Sequence, residues 1–267
     1  MRPLSAMPDV VRGAIRGVLC DIDDTLSTAG RITAEAYAAL ERLRAAGRLV
    51  VPVTGRPAGW CDHIARMWPV DAVVGENGAL YMLHDDRRHK LKVCHALDAE
   101  QRRANRDQLD RVAARILHEL PGCAVASDQA YRDSDLAIDY CEDVAPLSAE
   151  SVERIVALMR SEGMNAKVSS IHVNGWFGNY DKLSMTRRLF AEEFGIDLDA
   201  EREHFAFVGD SANDAPMFEF FPCSIGVANV RKFVERIATP PQYITMRDAG
   251  GGFAELTEFL LRSPRGS

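Results

Sequence analysis

Gly17-Val18-Leu19-Cys20-Asp21-Ile22-Asp23-Asp24-Thr25-Leu26 decides the fold. Four small or apolar residues run straight into a group of acids, as a buried parallel strand does when it reaches its carboxyl end. Outward from it, 32–46 carries apolar residues on one face (Ala36, Ala39, Leu40, Leu43), with Thr33 as an N-cap and Gly47 as a stop. A strand at Leu49–Val53, a helix over 58–68 and a strand at Ala72–Val74 follow. Strand and helix alternating over short links predict a parallel sheet covered on both faces.

The pattern changes between about Leu83 and Asn174. Charged helical stretches (98–120 and 148–162) and alternating strands (136–140, 166–168, 171–173) imply an α+β unit with an antiparallel sheet. After Asp181 the first pattern returns, with Phe205–Val208 ending in Gly-Asp, a strand at Ser224–Val227 and a closing helix over 253–261. The expected architecture is α/β: a Rossmann-like parallel-sheet core (14–82 and 176–267) with an inserted α+β cap domain (83–175). An insert of about ninety residues can hold a small core of its own. Met1 to Gly13 reads as a short disordered tail.

Composition narrows the partners. The 267 residues are 47% hydrophobic and 27% charged, with a net charge of -7. So acidic a chain has no electrostatic reason to gather on nucleic acid or an anionic membrane. The basic run Arg87–Lys92 has Asp85 and Asp86 beside it and reads as a solvated loop or strand edge. Six scattered cysteines form no CxxC pair, and no stretch has the length and apolarity to span a bilayer. The expectation is reduced thiols in the cytoplasm.

Four segments carry chemistry. Asp21 and Asp23 leave the end of a parallel strand, where open α/β sheets bind ligands, and grouped acids there invite a cation. Phe207-Val208-Gly209-Asp210-Ser211-Ala212-Asn213-Asp214 repeats the arrangement. If the two strands are neighbours, Asp21, Asp23 and Asp210 meet. Thr54 and Gly55 end the second strand with donors suited to a phosphate. Lys182 opens the helix that returns to the parallel unit.

In this order the segments resemble the haloacid dehalogenase superfamily of phosphatases: a DxDxT motif (21–25), a Thr after the second strand, a Lys, and a GDxxND-type motif (209–214). Val74-Gly75-Glu76-Asn77-Gly78-Ala79 is similar to the segment preceding the cap in the subgroup with a large α+β cap, the C2B type. Asp24 stands where glycine is commoner. The resemblance implies that Asp21 is a nucleophile and Asp23 a general acid and base. Thr54, Gly55 and Lys182 would hold phosphoryl oxygens. Mg2+ would bind Asp21, Asp210 and the main-chain carbonyl of Asp23, with Asn213 supporting it and Asp214 orienting either the metal shell or Lys182. Asp23 also favours a phosphatase over a haloalkanoate dehalogenase, whose halide needs no acid.

The substrate implied is a small phosphorylated metabolite, with a sugar phosphate the leading class. A phosphomutase and a non-catalytic ligand-binding protein stay open as alternatives. Within the cap, Ser169-Ser170-Ile171-His172-Val173-Asn174-Gly175-Trp176 is similar to a stretch in mannosyl-3-phosphoglycerate and sucrose-phosphate phosphatases. Its alternation sends Ser170, His172 and Asn174 to one face, making His172 and Asn174 candidate substrate contacts. Arg56 reads as a substrate contact or a tie to Glu76. Arg132, Asp133 and Asp135 read as an exposed charged turn, with substrate binding as the alternative.

Overall fold

The computed structural model describes residues 1–169 and 171–262. Ser170 lies outside the described residues. Six parallel strands form the main sheet in the order Arg2–Pro3, Tyr243–Ile244, Cys223–Gly226, Phe205–Gly209, Gly17–Cys20, Leu49–Pro52. Because side chains alternate across a strand, one face presents Val18, Cys20, Val50, Ala206 and Val208 to the helices Ala34–Ala45, Ala58–Met67 and Ala249–Leu261. The opposite face presents Leu19, Val51, Phe205 and Phe207 to Lys182–Leu189 and Ala215–Phe220. Thr33 does cap its helix, accepting from the Ala36 N–H.

The N-terminus corrects the disordered-tail expectation. Arg2–Pro3 adds a strand to the sheet edge, and Leu4, Met7 and Ile15 are buried in the core. Three apolar anchors within fifteen residues are enough to hold a short segment that has no periodicity of its own.

A second unit stacks a four-stranded antiparallel sheet, ordered Asn165–Val168, His172–Trp176, Asp135–Asp139, Ala124–Val125, against the helices Ala99–Glu119 and Ala149–Ser161. Its core gathers Leu109, Val112, Ile116, Leu136, Ile138, Ile155 and Val173. The two-residue alternation then forces Asp135, Asp139, His172, Asn174 and Trp176 onto the other sheet face, all of them buried. The antiparallel hairpin Leu80–Asp85/Lys90–His95 starts at 80, inside the expected cap boundary at 83, but packs with the parallel unit. It pairs with Val73–Gly75, and Leu80, Met82 and Tyr81 join the two core clusters of the main sheet. The basic run lies on this hairpin's turn and edge strand, and its residues are largely exposed.

Candidate active site

Asp21 and Asp210 come together because their strands pair in register, Cys20 opposite Val208. The Asp21 N–H donates to the Val208 carbonyl at 2.9 Å, which fixes the exit of the first strand. In the acidic turn Asp24 has a φ of 54°, the left-handed region. Glycine suits that region best and aspartate tolerates it, which accounts for both the commoner residue and this one. Gly209 is required by close approach: a Cβ there would lie 2.4 Å from Asp214 Oδ2. That oxygen instead accepts the Asp210 N–H at 3.2 Å and the Ser211 N–H at 3.4 Å. Ser211 Oγ in turn donates to Asn213 Oδ1 at 2.8 Å.

Lys182 Nζ donates to Asp21 Oδ1 at 2.7 Å and to Asp214 Oδ1 at 2.9 Å, and all three residues are buried. Asp181 caps its helix by accepting the Ser184 N–H. Glu76-Asn77-Gly78 sets the helix position. Gly78 has a φ of 103°, and a Cβ on it would meet the Asp181 carbonyl oxygen at 2.0 Å.

Burial is the largest influence on Asp21. With Asp214 and Asp23 adding repulsion, it outweighs Lys182 and pushes the carboxyl up to about 7. Asp210 is pushed up to about 9 by burial, then by Asp214 and Asp21. Burial alone would lower Lys182, but Asp21 and Asp214 outweigh it and hold the ammonium above its ordinary value. Carboxylate oxygens of Asp21, Asp210 and Asp214 lie within 4.8 Å of one another. One ammonium among these buried acids leaves excess negative charge, and the donors are all oxygen. That set fits a hard divalent cation. Asp214, expected only in support, stands in the carboxylate cluster itself. The Asp23 carboxylate turns to Arg56, so what Asp23 can offer a cation is its main-chain carbonyl, the group expected from the sequence.

Arg56 Nε and Nη2 both lie 3.0 Å or less from Asp23 oxygens. The guanidinium also reaches Glu142 at 3.5 Å and Asp128 at 3.6 Å, over the Trp60 ring. The tie from Arg56 to Glu76 is made by the main chain, where the Glu76 N–H donates to the Arg56 carbonyl at 3.1 Å. The Glu76 carboxylate accepts from the Ala58, Asp133 and Ser134 N–H groups, at 2.9, 2.7 and 2.7 Å, and so fastens the cap to the parallel unit. Thr54 is buried, and its hydroxyl accepts from the Arg56 N–H at 3.0 Å while keeping its own O–H to donate. Gly55 lines the cleft itself.

His172 and Asn174 do line the same cleft as Asp21, Asp23 and Asp210. His172 Nε2 is 2.8 Å from Glu142 Oε2 but poorly aligned for a hydrogen bond. Burial, then Arg132, lowers the His172 pKa against the pull of Glu142 and Asp128. Asn174 Nδ2 donates to Asp135 Oδ2 at 3.1 Å. Arg132 and Asp135 correct the exposed-turn reading. Both are buried, and Arg132 pairs with Asp128 and Asp135 at 3.0–3.1 Å and donates to the Gly55 carbonyl at 3.0 Å. Sequence reading missed Asn77, which lines this cleft, and Asp128 and Glu142, which reach Arg56. The signal was available only for Asn77, beside Glu76 in the segment before the cap.

No helix among the described residues is long and apolar enough to cross a membrane. Residues 18–118 match the family model for haloacid dehalogenase-like hydrolases. Over 60 residues, 22% of this chain, the sequence is 45% identical to phosphoglycolate phosphatase from Methanosarcina mazei, a match spanning 25% of that relative's length. A solved structure from Thermoplasma acidophilum superposes with a TM-score of 0.70 at 18% identity, covering 92% of this chain and 98% of that one. A sugar phosphatase of haloacid dehalogenase subclass IIB superposes with a TM-score of 0.61 at 14% identity, covering 91% and 98%. At these identities the solved structures speak for the fold. By motif order and by the match over residues 18–118 the chain is similar to the haloacid dehalogenase-like hydrolases, and its fold is the one those solved structures share.

Proposed function

We propose that the chain is a magnesium-dependent phosphatase that hydrolyses a phosphate monoester of a small metabolite, with a sugar phosphate the leading class, through an aspartyl-phosphate on Asp21. The observation that carries this reading is Lys182 Nζ bridging Asp21 and Asp214 at 2.7 and 2.9 Å beside the Asp210 carboxylate. A carboxylate attacking a phosphate dianion faces repulsion, and a buried ammonium at that point offsets it. The family relationship and the printed names of relatives, phosphoglycolate phosphatase and sugar phosphatase, support the same class of reaction.

In this reading an Asp21 oxygen attacks phosphorus, the bond from phosphorus to the leaving oxygen breaks, and Asp23 gives that oxygen its proton. Asp23 then takes a proton from water as the water attacks the acyl-phosphate, releasing inorganic phosphate and restoring Asp21. Lys182, Thr54 and Gly55 hold the phosphoryl oxygens. Asp23 must turn from Arg56 to reach the leaving oxygen. Glu142 and Asp128, from the cap, are the groups placed to draw Arg56 away. A divalent cation held by Asp21, Asp210 and the Asp23 carbonyl, with Asp214 and Asn213 in support, would supply further positive charge against the phosphoryl group.

Phosphate release from a panel of sugar phosphates and short phosphorylated acids, with and without magnesium, tests the proposal. Magnesium-dependent release of free phosphate supports it. Isomerised ester without free phosphate favours a phosphomutase, and binding without turnover favours a ligand-binding protein.

A further inference from the structure

The cleft between Asp21 and the cap residues His172 and Asn174 holds about 20 Å³ of free space. A water needs roughly 10–15 Å³ on that scale, so there is room for neither the phosphoryl group nor the leaving group of an ester. Substrate therefore enters with the cap swung aside, and the cap recloses on it. Asp23 and Arg56 both belong to the parallel unit, so the bond between them does not depend on the cap. Arg56 is 5% exposed and holds Asp23 through Nη2 at 2.8 Å and Nε at 3.0 Å. An Asp23 carboxylate held in this way is not on the leaving oxygen. Releasing it would strand a buried guanidinium, which is costly unless another acceptor is at hand.

The cap brings two acceptors. Asp128 lies 3.6 Å from Arg56 Nη1 but already accepts from Arg132 at 3.1 and 3.3 Å. Glu142 is less committed. Its Oε1 lies 3.5 Å from Arg56 Nη2, the nitrogen that also holds Asp23, and its Oε2 faces His172 at 2.8 Å without the alignment of a hydrogen bond. No other cation pairs with Glu142 among the described residues. A shift of about 0.5 Å would bring Nη2 into ordinary bonding distance of it. The turn that carries Glu142 is fastened to the cap sheet. The carboxylate of Asp139, 1% exposed at the end of its strand, accepts the Cys141, Glu142 and Asp143 N–H groups at 2.9, 2.7 and 2.8 Å.

We propose that Glu142 is a positioning residue for the acid step: as the cap closes on the ester it takes Arg56 from Asp23, and Asp23 turns to the leaving oxygen and gives it its proton as the bond to phosphorus breaks. The proposal rests on the phosphatase reading above. With no ester in the cleft nothing competes for Asp23, and Arg56 stays on it, as in this structure. With the cap open, Asp23 is the one carboxylate partner left to Arg56 among the described residues, because Asp128 and Glu142 move with the cap. Cap closure and acid catalysis are thereby tied together.

The test compares Glu142→Gln with the unaltered chain, in magnesium, on 4-nitrophenyl phosphate and on whichever of glucose 6-phosphate and phosphoglycolate the unaltered chain cleaves faster. Gln keeps the shape of a side chain that is 32% exposed, so the variant should fold. A nitrophenolate leaves without a proton, whereas an alkoxide needs one. For the alkyl ester kcat/KM, which covers the steps up to loss of the leaving group, should fall about tenfold, and for the nitrophenyl ester by less than about threefold. Equal losses on both esters, or none, overturn the proposal and leave the phosphatase reading standing. In an Arg56→Gln background, Glu142→Gln should cost nothing further on the alkyl ester, because Glu142 acts through Arg56. A loss that persists there means that Glu142 touches the ester itself, and it overturns the proposal. Where Arg56→Gln is unfolded or inactive, the comparison of the two esters decides alone. If the unaltered chain releases phosphate from no ester, the phosphatase reading fails and the proposal fails with it.

Discussion

Lys182→Met removes one charge from the centre of the site and keeps the length of the side chain. In the structure Lys182 Nζ is the cation shared by Asp21 and Asp214, and its side chain is buried. Leaving two buried carboxylates without it should cost about 3–5 kcal/mol of folding free energy, a large part of the usual 5–15. With a urea m value of about 3 kcal/mol/M, the unfolding midpoint should fall by roughly 1–2 M. The penalty should shrink toward pH 5, because a carboxylate without a partner escapes by taking a proton. Magnesium should restore part of the midpoint by replacing the lost charge. In turnover the variant lacks one donor to the phosphoryl oxygens, and kcat should drop by about 10²–10³. Steady-state kinetics and urea unfolding on the same protein read both effects. A kcat within about threefold of the unaltered chain would refute the role given to Lys182, whatever happens to stability.

In the metal-free protein Asp21 is raised from 3.8 to about 7 and Asp210 to about 9, so both acids favour their neutral forms in the fold. Their contribution to stability is full below about pH 4 and is lost as pH rises through 7 and then 9. A divalent cation binds the ionised forms and expels protons. The gain in Tm from magnesium should therefore be larger at pH 8.5 than at pH 6, and a constant or shrinking gain in thermal unfolding contradicts the assigned cation site. Gly78→Ala should cost about 2–4 kcal/mol in urea unfolding and lower kcat, because its Cβ would strike the Asp181 backbone and shift Lys182. Unchanged kcat at full stability would show that the segment does not set the position of Lys182.

Much of this site could be read before the structure. Apolar runs ending in acids located Asp21 and Asp210 at strand ends, and strand pairing alone then brings them together. Lys182 gave no local signal and was found only by motif order. What could not be read was partner choice. Asp23 and Asp214 are both acids near the same point, and nothing in their spacing says which one Arg56 takes. Arg132 and Asp135 look like a solvated turn because charge patterns do not reveal that this face of the cap will close onto the parallel unit. The 80–95 hairpin has the alternation of any half-buried sheet, so its packing on the parallel unit rather than in the cap was invisible to periodicity.

The chemical state of Asp21 during turnover tests the central claim most directly. Enzyme mixed with a good ester substrate, quenched in acid within milliseconds and analysed by peptide mass spectrometry, should carry one phosphoryl group on the peptide containing Asp21. The label should disappear in Asp21→Asn together with turnover. A phosphoryl group found on another residue, or Asp21→Asn protein turning over at the unaltered rate, would contradict the account.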